Sequence, residues 1–237
     1  MTIALLAAGP SVYWYTTRST GAVALLLLTA AVVLGVLDAR RASSPRWPRF
    51  AIDSLHRSAS LLAIAFLALH ILTAVLDSFA SISLLDAVVP FAGSYRPFWL
   101  GLGAVSLDLL LAVAISSAAR RRIGYAGWRA VHWLAYASWP LALVHSLGTG
   151  SDVKSWWLEA ITLGCVAAVL AAVLARVSWE WPRHRGRRRA ALWATGAFSL
   201  FLLVWLPLGP LGSEWARRSG TPSGLLPHNH TSSQAKQ

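Results

Sequence analysis

The chain has 237 residues, 56% of them hydrophobic and only 13% charged, with 21 Lys and Arg against 9 Asp and Glu and a net charge of +12. A soluble domain would carry nearly twice that share of charge, so a water-soluble globule is excluded. So basic a soluble protein would point to nucleic acid, but here the basic residues cluster in short gaps between apolar runs, where they set membrane orientation, and no nucleic-acid partner is expected.

Runs of about 20 mostly apolar residues can cross a bilayer, and in lipid their backbone polar groups must be satisfied internally. They lack the period-two alternation of barrel strands, so the expected fold is an all-α polytopic membrane helix bundle. Residues 1–15 are interrupted by Gly9-Pro10 and lack a basic start, which reads as an interfacial segment rather than a signal peptide. Six spanning segments follow, at 21–37, 52–76, 98–118, 128–147, 156–175 and 190–208.

The second segment carries His56 and His70. After it, residues 77–97 are moderately apolar (Leu84, Leu85, Val88, Val89, Phe91) and are expected to fold over the membrane surface as a lid. Asp108 lies in the middle of the third segment, either as a relay or ion-pairing carboxylate or as a neutral acid hydrogen-bonded across helices. The fourth carries His132 and His145, with Pro140 between them. Cys165, the single cysteine, lies in the fifth and reads as a small packing residue. It leaves no intramolecular disulfide, no Cys-rich zinc site and no Cys-ligated iron–sulfur cluster. Residues 1–212 form one predicted domain, and 213–237, rich in Ser, Gly, Pro and Thr, read as a disordered extracytoplasmic tail. His228 and His230 within it read as solvated rather than as a metal-binding tract.

The gaps alternate in charge. Arg40, Arg41, Arg46, Arg49 and Arg57, then Arg120, Arg121, Arg122 and Arg129, then Arg176, Arg183, Arg185, Arg187, Arg188 and Arg189 make 15 of the 21 Lys and Arg, all on one side. The positive-inside rule makes that side cytoplasmic and puts both termini of this cell-membrane protein outside. Trp47, Trp99, Trp128, Trp156, Trp157, Trp179, Trp181 and Trp215 sit near segment ends, as interfacial anchors do. The Arg183–Arg189 cluster suits anionic lipid, with docking of a cytosolic reductase as a second use.

Ionisable residues inside a bilayer are costly and usually functional. The two histidine pairs are spaced 14 and 13 residues apart, about 20 Å along a helix, which places one histidine toward each leaflet. One crossing separates the two segments, so they run parallel: His56 can face His132 at an inner level and His70 can face His145 at an outer one. Fourteen residues return to within roughly 40° of the starting face, whereas thirteen leave His145 roughly 140° from His132 on a straight helix. A kink at Pro140, or rotation of one bound group about the stack, is expected to absorb the mismatch.

Paired neutral imidazoles suit the axial positions of heme iron. Zinc would prefer a third or fourth ligand, and neither carboxylate nor cysteine accompanies the pairs. No Cys-x-x-Cys-His is present, so covalent attachment is excluded and two b-type hemes per chain are expected, with His56, His70, His132 and His145 as axial ligands. Arg57 and Arg129 flank the inner pair and Arg18 opens the first segment, and all three are candidate propionate partners.

Thr20-Gly21 at the start of the first segment, His56-x13-His70, and the stretch GYAGWRAVHWLAYASWPLALVHSLG with His132-x12-His145 resemble the ferric reductase-like transmembrane domain superfamily over about residues 18–175. That superfamily includes NADPH oxidases, eukaryotic ferric reductases and stand-alone bacterial heme-binding membrane subunits, such as that of the periplasmic methionine sulfoxide reductase system. The resemblance implies axial roles for all four histidines and a position near the outer heme for Arg18. It also implies a subunit of an oxidoreductase system, passing electrons from a cytosolic flavoprotein or a membrane quinol to an extracytoplasmic redox protein, ferric iron or oxygen. The cytosolic flavin- and NADPH-binding domain of the larger members has no counterpart here, and Gly101-x-Gly103 lacks the third glycine of a nucleotide motif. The alternative function is a proton-coupled transporter or ion-translocating subunit that uses Asp108 and the histidines, although broken helices and inverted repeats are not evident.

Overall fold

A computed structural model describes residues 11–39, 48–150, 152–179 and 185–226, with 179, 185 and 187 by backbone alone. The expectations for Met1–Pro10, for Arg40, Arg41, Arg46 and Trp47, for Trp181 and Arg183, and for His228 and His230 lie outside the described residues. Among these, the chain forms α1 (Val12–Ala39), α2 (Arg49–Leu76), α3 (Leu84–Val88), α4 (Pro97–Ala118), α5 (Arg120–His132), α6 (Ala135–Thr149), α7 (Trp156–Trp179), α8 (Arg185–Leu208) and α9 (Trp215–Arg218). The expected all-α membrane bundle is what the structure has: α1, α2, α4, α7 and α8 are each long and apolar enough to cross a membrane. The remaining predicted crossing is divided between α5 and α6.

Three local features differ from the sequence expectations. The interfacial segment does not stop short of the first span, because Val12–Tyr15 already belong to α1. Ser11 caps it by accepting from the Trp14 amide at 3.0 Å, the usual work of a Ser at an N-cap. Second, the helix continues through Pro140, and the break falls at Trp133 and Leu134. There the backbone bonds step three residues: Leu134 N to Val131 O at 2.9 Å, Tyr136 N to Trp133 O at 3.1 Å and Ala137 N to Leu134 O at 3.0 Å. Such tight turns rotate roughly 20° more per residue than an α-helix, so this stretch recovers about 60° of the roughly 140° between His132 and His145 and redirects the helix axis between them.

The third difference is the tail. From Ser213 to Leu226 the chain is structured rather than disordered, with α9 followed by a 3₁₀ turn at Ser223–Leu225. Trp215 Nε1 donates to Gly148 O at 3.1 Å. Arg96, only 4% exposed, donates to Gly148 O (3.1 Å), Thr149 O (3.0 Å) and Thr221 Oγ1 (2.9 Å), and its amide donates to Gly220 O at 3.0 Å. One guanidinium thus satisfies the terminal carbonyls of α6 and pins the tail against them. Burial pushes Arg96 down from its ordinary pKa, with Tyr95 opposing; an arginine stays charged regardless.

α1 packs along α2, α4 packs on α6, and α7 links α1 to α8. Leu25, Trp139, Leu143, Leu147 and Cys165 share the interior, with Cys165 in its expected packing role. Buried polar atoms are tied across helices: Trp139 Nε1 donates to Thr29 Oγ1 at 2.9 Å and Ser106 Oγ to Ser138 O at 2.9 Å. Large apolar residues face outward instead, with Leu61 63% and Leu203 72% exposed. That is the surface of a multi-pass membrane protein, whose solvent is lipid.

Candidate functional site

The bundle brings the four intramembrane histidines together as two facing pairs. His56 of α2 and His132 of α5 have ring centres 6.3 Å apart and planes at 73°. His70 of α2 and His145 of α6 stand 6.4 Å apart at 86°. A metal bonded at about 2.0–2.1 Å to one nitrogen of each of two opposed rings, each centre lying roughly 1.2 Å behind its nitrogen, sets the centres roughly 6.4 to 6.6 Å apart. Both separations match that geometry, and neither allows a direct ring-to-ring hydrogen bond.

The second ring nitrogen is committed elsewhere in three of the four. His56 Nδ1 lies 2.9 Å from Ala31 O, His70 Nδ1 2.8 Å from Thr17 O, and His145 Nδ1 2.9 Å from Trp99 O. A carbonyl only accepts, so each Nδ1 carries the proton and each neutral ring keeps its lone pair on Nε2, the tautomer that acceptors behind the ring impose on metal-binding histidines. His132 differs. Its Nδ1 is buried and has no hydrogen-bond partner among the described residues, and its ring lies 4.8 Å from Trp128.

The His70–His145 pair borders an apolar cavity of about 250 Å³. Arg18, Tyr95 and Asp152 reach it, and so do Phe79, Ile82 and Asp86 of the segment after α2, whereas Leu84, Leu85, Val88, Val89 and Phe91, the residues of the expected lid, are exposed and do not line it. Ser83 and Asp86 form a reciprocal capping box that fixes α3 within that segment. Arg18 pairs with Asp152 at 2.9 Å and lies 4.1 Å above the Trp14 ring. The other level is more open: Tyr125, Arg129 and Trp133 line a surface depression on the His132 side. Arg129 is exposed there, and Arg57 is ion-paired at 2.8 Å with Asp53, one turn away on an exposed face. Asp108 makes no hydrogen bond or ion pair among the described residues and does not line the cavity.

These residues fit iron-porphyrin. Each level offers two opposed nitrogen ligands, and no cluster of three or more potential metal-binding side chains exists among the described residues, as zinc would favour. Sequence reasoning missed the carbonyls of Thr17, Ala31 and Trp99, because a backbone acceptor leaves no residue-type signal. It also missed Arg120, whose guanidinium stacks 4.2 Å over Trp128 beside His132. Trp99, expected as an interfacial anchor, instead packs with Trp205 and Trp215, 5.0 and 5.1 Å between ring centres.

A helical membrane bundle with two stacked, opposed histidine pairs is the class of protein defined here. The chain belongs to the ferric reductase like transmembrane component family, which it matches over residues 20–143. It is similar to the protein-methionine-sulfoxide reductase heme-binding subunit MsrQ of Ralstonia nicotianae, 31% identical over 193 residues that cover 78% of this chain and 79% of the relative. The MsrQ of Herminiimonas arsenicoxydans is 29% identical over 181 residues, 72% and 73% of the two chains. No solved structure matches.

Proposed function

We propose that this chain is the heme-binding membrane subunit of an oxidoreductase system and carries two b-type hemes, one between His56 and His132 and one between His70 and His145. The single observation that carries the reading is the pair of ring separations, 6.3 and 6.4 Å, with three of the four imidazoles held as Nδ1–H tautomers by backbone carbonyls. Bound heme supplies a one-electron couple at each level, and two levels about 20 Å apart suit electron transfer across the bilayer.

The chain's own residues do the rest. The four histidines fill both axial positions, which favours electron transfer over binding of substrate at iron. Arg18 is the cation beside the outer cavity and is the candidate propionate partner; Arg57 and Arg129 are more exposed candidates on the inner side. Electrons come from a separate cytosolic flavoprotein or a membrane quinol, with both chain termini and the acceptor outside the cell membrane. Similarity to MsrQ favours a protein-methionine-sulfoxide reductase as that acceptor over ferric iron or oxygen.

A reduced-minus-oxidised absorption spectrum of purified protein, with heme extracted and counted per chain, tests the reading. Two b-type hemes are expected. A chain without heme after expression with ample heme supply overturns it. Reduction by a quinol analogue alone, or only with a flavoprotein and NADH present, then separates the two donors.

A further inference from the structure

The carbonyls that receive the imidazole protons share a register. Each lies four residues before a glycine of the same helix: Thr17 before Gly21, Ala31 before Gly35, and Trp99 before Gly103. In a helix the Cα–Cβ bond tilts toward the N-terminus, so a side chain covers the turn before its own residue. Glycine leaves that turn bare. A Cβ built on Gly103 would stand 2.5 Å from His145 Nδ1, one on Gly21 2.9 Å from His70 Nδ1, and one on Gly35 3.2 Å from His56 Cε1. Gly101 and Gly148 likewise make room for the rings of Phe91 and Trp99, while Gly164 and Gly196 meet nothing within 4 Å; what sets Gly21, Gly35 and Gly103 apart is that the ring received is an imidazole bonded to the carbonyl one turn earlier.

We propose that Gly21, Gly35 and Gly103 are positioning residues for the axial histidines, each uncovering a helix carbonyl that a facing imidazole then uses to fix its tautomer and ring plane. The inference rests on the di-heme reading and names the part of the chain that makes the ligands competent. A carbonyl can accept a second donor while keeping its helix bond. The imidazole that donates to it becomes the more basic ligand, which stabilises oxidised iron. Gly21 and Gly35 are 14 residues apart on α1, and His56 and His70 are 14 apart on the antiparallel α2. The same contact is therefore made at both levels. Among the described residues His132 has no such glycine and carbonyl, and its ring is held there by packing alone.

The test compares Gly103→Ala, Gly21→Ala and Gly35→Ala with the control Gly164→Ala in the full-length heme-loaded chain. Heme per chain, the midpoint potential of each heme and the low-spin EPR signal are read. Gly103→Ala is expected to weaken heme retention at its level by about ten- to a hundred-fold, and to raise the potential of that heme alone. Gly21→Ala acts on the same heme and Gly35→Ala on the other, with effects decreasing in the order Gly103, Gly21, Gly35 as the clearances widen. Should Gly103→Ala fail to fold, Gly35→Ala, the mildest intrusion, carries the test through the potential of the inner heme. Two hemes in the wild type, with none of the three variants departing from the control, overturns the proposal while leaving the di-heme reading intact. A wild type without heme overturns the di-heme reading itself.

Discussion

At the His70–His145 level both imidazoles donate to carbonyls, the segment after α2 contributes to the cavity wall, and a guanidinium and its carboxylate partner line it as well. At the His56–His132 level one imidazole is held and the other is not, a surface depression lies alongside, and the nearby arginines face outward. Yet the ring separations differ by only 0.1 Å, from 6.3 to 6.4 Å. Ring spacing is therefore set by helix packing, whereas what surrounds the rings differs from level to level. Two sites of equal geometry can in this way differ in access, in ligand lability and in potential.

The strongest way to break the comparison is to remove ligands. His145→Ala and His132→Ala are each expected to abolish one heme per chain, and an unchanged count would sink the assignment of that histidine. Glycine in place of either histidine sharpens the contrast. Added imidazole is expected to restore the heme in His132→Gly, where the site is open, and not in His145→Gly, where it is enclosed, as read by heme retained after gel filtration.

Next in size is Arg96→Leu, which leaves the Thr149 carbonyl without its side-chain donor and the Gly148 carbonyl with Trp215 Nε1 alone. A cost of about 2 kcal/mol is expected from one part-buried acceptor left unsatisfied and the lost anchorage of the tail, seen as a lower unfolding temperature in detergent. Proteolysis after Ser213 should quicken, and heme loss should fall on the His70–His145 level. Arg18→Ala breaks a partly buried ion pair, with side chains 17% and 27% exposed. About 1–2 kcal/mol is expected, with a shift in the potential of the outer heme only; movement of both potentials would contradict the separation of levels. The smallest effect belongs to Arg57→Ala, an exposed i,i+4 pair worth at most about 0.5 kcal/mol. A clear change in the inner potential with that variant would assign Arg57 a propionate after all.

The four histidines were legible because spacing is a property of sequence, and a pair of near-equal intervals in apolar runs has few other uses. The route that brings His145 into place was not. Pro140 is the conspicuous breaker, but its helix tolerates it, and the break at Trp133 and Leu134 carries no Gly or Pro to announce it. The tail misled for a related reason. Its Ser, Gly, Pro and Thr read as disorder, while its order comes from Trp215 and from Arg96 more than a hundred residues earlier. Gly21 was noticed only as the start of a segment; its partnership with His70 needs the antiparallel register of α1 and α2.

That register works as a ruler. Fourteen residues on each of two antiparallel helices, about 21 Å of rise, are fixed at both ends by contacts between glycine and imidazole. A bilayer that thickens or thins around such a pair must adapt its own lipid, since neither helix can slide without breaking both contacts. On the proposed reading, the gap an electron has to tunnel is written into protein register and stays constant from one membrane composition to another.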